Sequence, residues 1–343
     1  MKVSDFDYEL PVERIAQKAV EPRDSARMMV LDRADGSIQH RVFRDLPEFL
    51  RKDDLLVLND TRVMPWRLMG QRTSGGKIEG LLINVLAEGV WRALLKGKLK
   101  IGERIGFFEG KLEAELVAKE EAGVWQLRFL TPGAEGLIEQ FGRAPLPPYI
   151  RREEEDVELD AYDRERYQTK FAKAPGAIAA PTAGMHFTEE LLGRIRKNGI
   201  EIATVTLHVG VGTFAPMRVE DVSEHKMHSE EYEVSVETAN SINKALANGK
   251  QIVAVGTTSV RVIEHCLGKG EMRAERGHTE MFITPGYEFR GVGAMVTNFH
   301  LPKSTLMMLV SAFAGRERIL DAYRTAVKEG YRFFSYGDGM LIL

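Results

Sequence analysis

The spacing of apolar residues changes along the chain and predicts different structures in different regions. Near the start, residues 27–31 and 55–58 are short apolar runs bounded by Asp, Arg and Asn, which is typical of buried β-strands. After residue 200, runs of strand length alternate with stretches of helical spacing. The predicted strands there are 200–209 and 251–255, and the predicted helices are 236–247 and 260–267. This alternation indicates an α/β layer with a mainly parallel sheet.

Residues 73–123 differ because glycines divide them into short runs. Nine of these 51 residues are glycine, about twice the frequency in the whole chain, where 32 of 343 residues are glycine. Strands interrupted this closely indicate a small antiparallel barrel or sandwich. A short helical stretch at 137–141 and three prolines follow, and the charged run 151–167 then predicts a solvated connection.

The length of 343 residues suits about two domains. We predict an α/β core domain made of residues 1–70 and 151–343, interrupted by a small antiparallel β-barrel domain at residues 71–150. With 44% hydrophobic and 28% charged residues, the composition excludes a disordered chain. The net charge of −3 disfavours nucleic-acid binding by bulk positive charge, but it allows a local basic face.

The sequence also indicates the cellular compartment. Cys266 is the single cysteine, so no intramolecular disulfide can form and a reducing environment is expected. The first eleven residues carry Asp5, Asp7 and Glu9, where a signal peptide needs a basic start and an apolar core. The longest apolar stretch, 306–314, has nine residues, whereas a membrane span needs roughly 20. We therefore expect a cytoplasmic protein without membrane contact.

The strand predicted at 251–255 leads into a helix that begins with hydroxyl groups. Gly256, Thr257 and Thr258 follow the strand, and Arg261 lies in the first turns of the helix. Free backbone N–H groups, hydroxyls and a cation in this arrangement can bind a carboxylate or a phosphate. The alternative is that a Thr or Ser only caps the helix.

A glycine loop follows the strand predicted at 200–209. Its sequence, with Gly210, Gly212 and Thr213, has the G-x-G-x-x-A outline of a dinucleotide-binding fingerprint. However, Pro216 and the residues after it do not form the helix that this fingerprint must open. A loop that lets the backbone approach a ligand and a plain turn are the two remaining interpretations.

Three further segments carry histidines that are candidates for chemistry. His186 lies in a small-residue loop ahead of a helix capped by Thr188, where a single histidine is more often structural. His228 and Glu230 lie within residues 225–230, which suit acid/base chemistry or a metal site, although the spacing matches no known metal motif. His300 precedes the apolar helix at 306–314, where it can face an anion or a sugar.

One carboxylate near the end of the chain completes the candidates. Asp338 lies in a turn before the last predicted strand, and it is either a working carboxylate or a turn former.

Taken together, these segments resemble one family, the S-adenosylmethionine:tRNA ribosyltransferase-isomerases of queuosine biosynthesis. The sequence departs from the family pattern at Met185, where Leu is expected, and at Gly339, where Ala is expected. Neither change removes a polar group. The matching stretches are 10–11, 15–17, 23–27, 58–63, 180–188, 206–214, 225–230, 256–261, 297–305 and 334–340.

The resemblance implies a transferase that uses S-adenosylmethionine as a ribosyl donor. Its ribosyl part would be moved and isomerised onto 7-aminomethyl-7-deazaguanine at the wobble position of a tRNA. The product would be epoxyqueuosine-tRNA, with adenine and methionine released. The resemblance further implies an α/β core interrupted by a β-barrel, no prosthetic group and no metal. We also expect a monomer.

The resemblance also suggests roles for individual residues. The sulfonium makes the ribose C5′ proton acidic, so a general base can start the expulsion of adenine. The catalytic candidates are His186, His208, His228, His300 and Asp338. The candidates for binding S-adenosylmethionine are Asp60, Arg62, Gly210, Gly212, Thr213, Glu230, Thr257, Thr258 and Arg261, of which the last three are expected to hold the methionine carboxylate.

A basic stretch in the predicted barrel is the candidate RNA contact. Arg92, Lys96, Lys98, Lys100 and Arg104 stand against one acidic residue, Glu103. Such a stretch can bind phosphates, and a solvated strand face gives the same pattern. Two other classes of protein stay open on the residues alone: a metal-dependent hydrolase using His225, His228 and Glu230, and a tRNA-binding protein without catalysis.

Overall fold

The computed structural model describes residues 1–152, 157–214, 217 and 219–343. Within these ranges the strands are β1 Arg27–Leu31, β2 Ile38–Val42, β3 Leu55–Asn59, β4 Thr61–Val63, β5 Arg67–Arg72, β6 Lys77–Ala87, β7 Val90–Leu95, β8 Arg104–Phe107, β9 Leu112–Lys119, β10 Val124–Phe129, β11 Ala174–Ala177, β12 Glu201–Leu207, β13 Glu230–Val234, β14 Ile252–Val255, β15 Glu275–Thr279, β16 Val292–Asn298 and β17 Gly339–Ile342. The α-helices are α1 Ala134–Phe141, α2 Val157–Arg166, α3 Glu189–Lys197, α4 Val236–Ala247, α5 Gly256–Leu267, α6 Thr305–Ala314 and α7 Arg316–Lys328.

A nine-stranded sheet forms the core, in the order β15-β13-β12-β3-β14-β16-β17-β1-β2. The four central strands β12, β3, β14 and β16 are parallel, with Leu55 of β3 opposite both Glu201 of β12 and Ile252 of β14. Strands β13, β15 and β2 pair antiparallel at the two sides, as do β16 and β17. The sheet is therefore mixed, and the predicted parallel pairing occupies its centre.

Helices cover both faces of this sheet. Leu55 and Val57 of β3 point to one face, where they join the core formed with α4, α5, α6 and α7. Leu56 and Leu58 point to the other face, toward the core that contains α3. All five residues of β3 are buried, as expected for a central parallel strand covered on both sides. The predicted α/β core is confirmed.

The predicted β-barrel insert is also confirmed. Strands β5 to β10 close in the order β10-β7-β6-β5-β8-β9, and every neighbouring pair is antiparallel. Gly70 illustrates why glycine is frequent here, because a Cβ at this position would lie 2.6 Å from the Phe107 ring. The predicted boundary at residue 70 falls within β5, and we propose that the insert begins at Arg67, where β5 starts.

The charged run 151–167 is largely helical, so the predicted solvated connection is wrong for α2. Its charges pair with partners outside the helix: Asp160 with Arg143 at 2.6 Å, and Asp163 with Arg152 at 2.6 Å. These pairs tie α2 to the rest of the protein although it has no pronounced apolar face. The acidic residues 153–156 lie outside the described ranges. No helix in the described part of the chain combines the length and apolar character needed to cross a bilayer.

Candidate active site

A cleft of about 720 Å³ lies at the carboxyl ends of the central strands β14 and β16. Ligands collect at this edge of open α/β sheets, because strand ends and helix starts meet there. Six separate regions of the chain contribute to its walls. The residues that line it include Tyr149, Thr182, Val209, Thr257, Thr258, Thr297, Asn298, Phe299, His300, Ser304, Phe334 and Ser335.

The N-terminus of α5 forms one wall of this cleft. Gly256 has a φ of +83°, which lets the chain turn directly from the buried strand β14 into the helix. No side chain caps the helix, and Thr257 and Thr258 line the cleft. The hydroxyl of Thr258 is buried and has no hydrogen-bond partner among the described residues. This wall therefore offers N–H groups, a helix dipole and a hydroxyl to an anion.

His300 is placed by the end of β16 and lines the same cleft. Its Nε2 lies 2.8 Å from Oγ1 of Thr297. Its backbone is held on both sides, since its N–H donates to the Tyr323 hydroxyl and its carbonyl accepts from the Tyr8 hydroxyl. Burial lowers the pKa of His300 to about 3, so the imidazole is neutral at physiological pH.

His186, the second buried histidine, supports the wall of the cleft from behind. Its Nε2 lies 3.1 Å from Nδ2 of Asn298, whose Oδ1 accepts from the Thr182 hydroxyl at 2.9 Å. The ring stacks on Phe43 with the ring centroids 4.7 Å apart. Burial, followed by nearby arginine charges, lowers the pKa of His186 to about 3. The histidine thus positions two residues that line the cleft, Asn298 and Thr182.

Asp338 also acts behind the wall. Its carboxylate accepts from the backbone N–H groups of Arg27 at 3.1 Å and Arg332 at 2.8 Å, and from the Arg332 guanidinium at 3.1 Å. These bonds close the turn at residues 332–338, which presents Phe334 and Ser335 to the cleft. The structure therefore places Asp338 as the turn former rather than in the cleft.

One wall of the cleft is aromatic, and the sequence pattern did not predict it. Tyr149 stacks on Phe334 with centroids 4.6 Å apart, and its hydroxyl lies 2.7 Å from the Ser335 hydroxyl. Phe334 has a φ of +69°, which is strained for a bulky residue. Tyr149 follows the prolines after the barrel, so no local pattern connects it to the cleft. Phe334 begins one of the matching stretches, and this is the signal that could have identified it.

A second group of predicted residues lies at the ends of β3 and β12, outside the cleft lining. Nδ1 of His208 lies 2.7 Å from the Thr61 hydroxyl, and burial lowers the pKa of His208. Asp60 accepts from the Thr206 hydroxyl at 2.7 Å. Arg62 lies at the surface and pairs with Glu139 at 3.2 Å. Of this region only Val209, next to His208, contacts the cleft.

A third group is centred on the buried ion pair of Arg261 and Glu230. Glu230 also accepts from the N–H of Gly210 at 3.0 Å, and Arg261 donates to the Met281 carbonyl at 3.0 Å. Gly212 makes room for His228, because a Cβ there would lie 2.1 Å from the imidazole. The glycine loop therefore packs closely against a side chain of this protein.

Two findings complete the placement of the predicted residues. The side chain of Thr213 lies outside the described residues, as do Ala215 and Pro216 of the glycine loop. In the described ranges, no three His, Cys, Asp or Glu side chains converge on a common point. His225, His228 and Glu230 thus form no such cluster, and Glu230 is committed to Arg261.

The fold and the cleft define a two-part α/β protein with an enzyme-like site for a polar ligand at the sheet edge. A family model described as queuosine biosynthesis protein matches residues 3–342. A relative from Symbiobacterium thermophilum, named S-adenosylmethionine:tRNA ribosyltransferase-isomerase, is 53% identical over 348 residues that cover both chains completely. A relative of the same name from Clostridioides difficile is 52% identical over 347 residues, again covering both chains completely.

A solved structure agrees with these relatives. The crystal structure of an S-adenosylmethionine tRNA ribosyltransferase from Thermotoga maritima is 40% identical, with a TM-score of 0.58 over 99% of this chain and 100% of that one. The chain belongs to the queuosine biosynthesis protein family and is an enzyme, in agreement with the family that its motifs indicated.

Proposed function

We propose that the protein transfers and isomerises the ribosyl part of S-adenosylmethionine onto 7-aminomethyl-7-deazaguanine at the tRNA wobble position, releasing adenine and methionine. The observation that carries this proposal is the cleft, which combines an uncapped helix N-terminus with a neutral histidine. The relatives that match over their full length carry the name of this activity. Cytoplasmic tRNA is the expected partner.

S-adenosylmethionine has a carboxylate at one end and a heterocycle at the other, and the cleft offers a surface for each. The N-terminus of α5, with Thr257 and Thr258, suits the methionine carboxylate. The stacked pair of Tyr149 and Phe334 suits the flat adenine ring. Arg261 is held by Glu230, so its contribution is to fix α5 rather than to bind the carboxylate directly.

His300 is the proposed general base. As a neutral imidazole it can accept the C5′ proton that the adjacent sulfonium makes acidic. Loss of this proton starts the expulsion of adenine. The aminomethyl nitrogen of the acceptor base then attacks the ribosyl group, and methionine leaves. His186 is proposed as a positioning residue, because its ring is engaged with Asn298 and Phe43.

The basic stretch of the barrel is the proposed RNA contact. Lys96, Lys98 and Lys100 are exposed on the connection between β7 and β8. Arg92 is paired with Glu120, whereas Arg104 at the start of β8 is exposed like the three lysines. Replacing the three lysines by Gln is expected to lower both the tRNA affinity and its salt dependence. Unchanged affinity and salt slope would exclude this loop as an RNA face.

The function is tested by mixing the purified protein with S-adenosylmethionine and tRNA carrying 7-aminomethyl-7-deazaguanine. Mass spectrometry then follows adenine, methionine and the modified nucleoside. Release of adenine and methionine in step with epoxyqueuosine in the tRNA is the expected result. Methylated RNA together with S-adenosylhomocysteine would show that the protein uses S-adenosylmethionine but transfers its methyl group and not its ribosyl part. No reaction with verified substrates would overturn the proposal.

A further inference from the structure

A smaller and narrow recess lies beside the main cleft and is lined by two buried arginines, Arg23 and Arg166. We call it the arginine pocket. Ser335 lines both spaces. His186 lines the arginine pocket, and its hydrogen-bond partner Asn298 lines the cleft. One layer of side chains thus separates the two spaces.

Arg23 carries a buried charge, and no described residue places a counter-charge in contact with it. Its guanidinium donates to the carbonyls of Gln168 at 2.5 Å and Glu165 at 3.0 Å. Among the described residues no carboxylate lies within 4 Å of this guanidinium, although the side chain is only 4% exposed. A buried guanidinium without an anionic partner is costly, so a fold that keeps one has a use for it.

Arg166 lines the same pocket and also has one N–H group without an acceptor in the described part of the chain. One of its terminal nitrogens pairs with Glu21 at 2.7 Å, and the other donates to the Val20 carbonyl at 2.8 Å. Glu21 is 73% exposed, so this pair is largely solvated. The Nε–H groups of both arginines are buried, and neither has an acceptor among the described residues. The two arginines that line the pocket thus each keep one N–H group for which the described residues offer no acceptor.

We propose that the arginine pocket binds a backbone phosphate of the RNA substrate, next to the base that enters the main cleft. This inference rests on the proposed function and adds to it a phosphate contact. Two neighbouring guanidinium charges, each with an Nε–H unpartnered among the described residues, suit the several oxygens of a phosphate, whereas the N–H groups of α5 are the proposed site of the methionine carboxylate. Arg23 also belongs to a matching stretch that has no role in the proposed chemistry.

The surface around the arginine pocket favours the same ligand. Lys18 and Arg151 are exposed, and the guanidinium of Arg332 reaches the Lys18 carbonyl at 3.3 Å. Arg332 is paired with Asp338, and the exposed carboxylates of Glu21 and Glu165 lie at the same rim, so Lys18 and Arg151 are the cations that a polyanion meets first. A polyanion that approaches this rim is guided toward the two buried arginines.

The test measures the affinity of the full-length protein for an unmodified anticodon stem-loop RNA, without S-adenosylmethionine, over a range of salt concentrations. Arg166→Gln is expected to weaken binding by about tenfold and to reduce the salt slope by about one. Arg23→Lys keeps the charge but loses the fork, and it is expected to weaken binding by a smaller factor. Arg324→Gln, which removes an exposed arginine paired with Asp321, is the matched control.

A second variant guards against misfolding as an explanation. Glu21→Gln removes the carboxylate that competes for Arg166, so RNA binding is expected to tighten by about twofold. Unchanged RNA affinity in Arg166→Gln and Glu21→Gln would show that the arginines are structural. Loss of S-adenosylmethionine affinity in Arg166→Gln, with RNA affinity intact, would assign the pocket to a carboxylate. Because the assay needs no turnover, its result is independent of whether ribosyl transfer occurs.

Discussion

The main cleft contains the N-terminus of α5, and the Glu230–Arg261 cluster contains Arg261, which lies further along the same helix. The buried polar groups of the two regions are paired differently. In the cluster, Glu230 and Arg261 pair with each other and bind the backbone at Gly210 and Met281, although Nη2 of Arg261 has no partner among the described residues. In the cleft, the Thr258 hydroxyl has no partner among the described residues, and the helix N-terminus has no side-chain cap. The cluster differs from the cleft in holding a buried ion pair, which ties α5 to β13, whereas the cleft presents the uncapped N–H groups of α5 and the Thr258 hydroxyl to a ligand.

The largest expected effect is on catalysis at His300. Replacing His300 by Ala is expected to lower kcat on the order of 10² to 10⁴-fold, because it removes the proposed general base from the cleft. The measurement is the initial rate of adenine release with saturating substrates. His278→Ala, which changes an exposed histidine on β15, is the matched control.

Stability must be followed in the same variants. His300→Ala is expected to stay folded at the assay temperature, as judged by thermal unfolding. A folded His300→Ala variant with the kcat of the parent protein would remove His300 from the chemistry, and the cleft would lose its proposed base.

The next effect falls on stability in the Glu230–Arg261 cluster. Glu230→Met leaves Arg261 buried without its counter-charge, which is expected to cost about 3–5 kcal/mol in the free energy of unfolding. The measurement is denaturant unfolding. The double variant Glu230→Met with Arg261→Met is expected to recover much of this loss, since no unpaired charge remains.

Activity measurements on the same variant separate a structural role of Glu230 from a role in ligand binding. The activity of the Glu230→Met protein that remains folded is expected to stay close to that of the parent protein. A variant of full stability with a raised KM for S-adenosylmethionine would instead place Glu230 in the binding site, as the family resemblance first implied.

How much of this contrast the sequence could predict depends on the range of the interactions. The α5 N-terminus was predicted because strand, glycine and hydroxyls are adjacent in sequence, and the Thr188 cap, which accepts from the Leu191 N–H at 3.1 Å, is equally local. That Arg261 turns to Glu230 depends on β13 pairing beside β12, which no local pattern encodes.

The aromatic wall of the cleft shows the same limit more clearly. Tyr149 and Phe334 are 185 residues apart in the chain, and they meet because the turn held by Asp338 faces the connection from the barrel. The helix α2 was missed for a related reason, since its charges are neutralised by distant partners rather than by an apolar face. Groups that are adjacent in the sequence could therefore be predicted. Which distant residues meet in the cleft could not be predicted without the order of the strands in the sheet.

A smaller effect is expected at Thr258. Thr258→Val keeps the shape of the side chain and removes the unpartnered hydroxyl, so the KM for S-adenosylmethionine is expected to rise about fivefold, equivalent to about 1 kcal/mol. The kcat should change little if the hydroxyl binds the substrate and transition state equally. Steady-state kinetics at varied S-adenosylmethionine measure both, with Thr325→Val on α7 as the control. A lower KM in Thr258→Val would contradict a ligand-binding role.

The smallest expected effect concerns the pH dependence of kcat/KM, in which we expect no ionisation near pH 6.5. The pKa of His300 lies at about 3 in the folded protein, so the imidazole stays neutral throughout the range from pH 5 to 8. The aminomethyl group of the acceptor must lose a proton, so kcat/KM is expected to rise steadily with pH without a bend near 6.5. An acid limb centred near 6.5 and abolished by His300→Gln would show an ordinary pKa for His300.

Protein stability, unlike activity, is expected to respond to the histidines below pH 6.5, which provides the control for that profile. Below pH 6.5 the unfolded chain binds protons at His186 and His300 that the folded protein does not bind. The free energy of unfolding must therefore fall as the pH drops from 6.5 toward 3, and it is unaffected by these groups above that range. Thermal unfolding at pH 5 and pH 7 measures this loss, which should shrink in His186→Gln. If kcat/KM shows no bend down to pH 5 while the free energy of unfolding declines, the low pKa of His300 is explained by burial. His300 is then neutral in the active protein over this range.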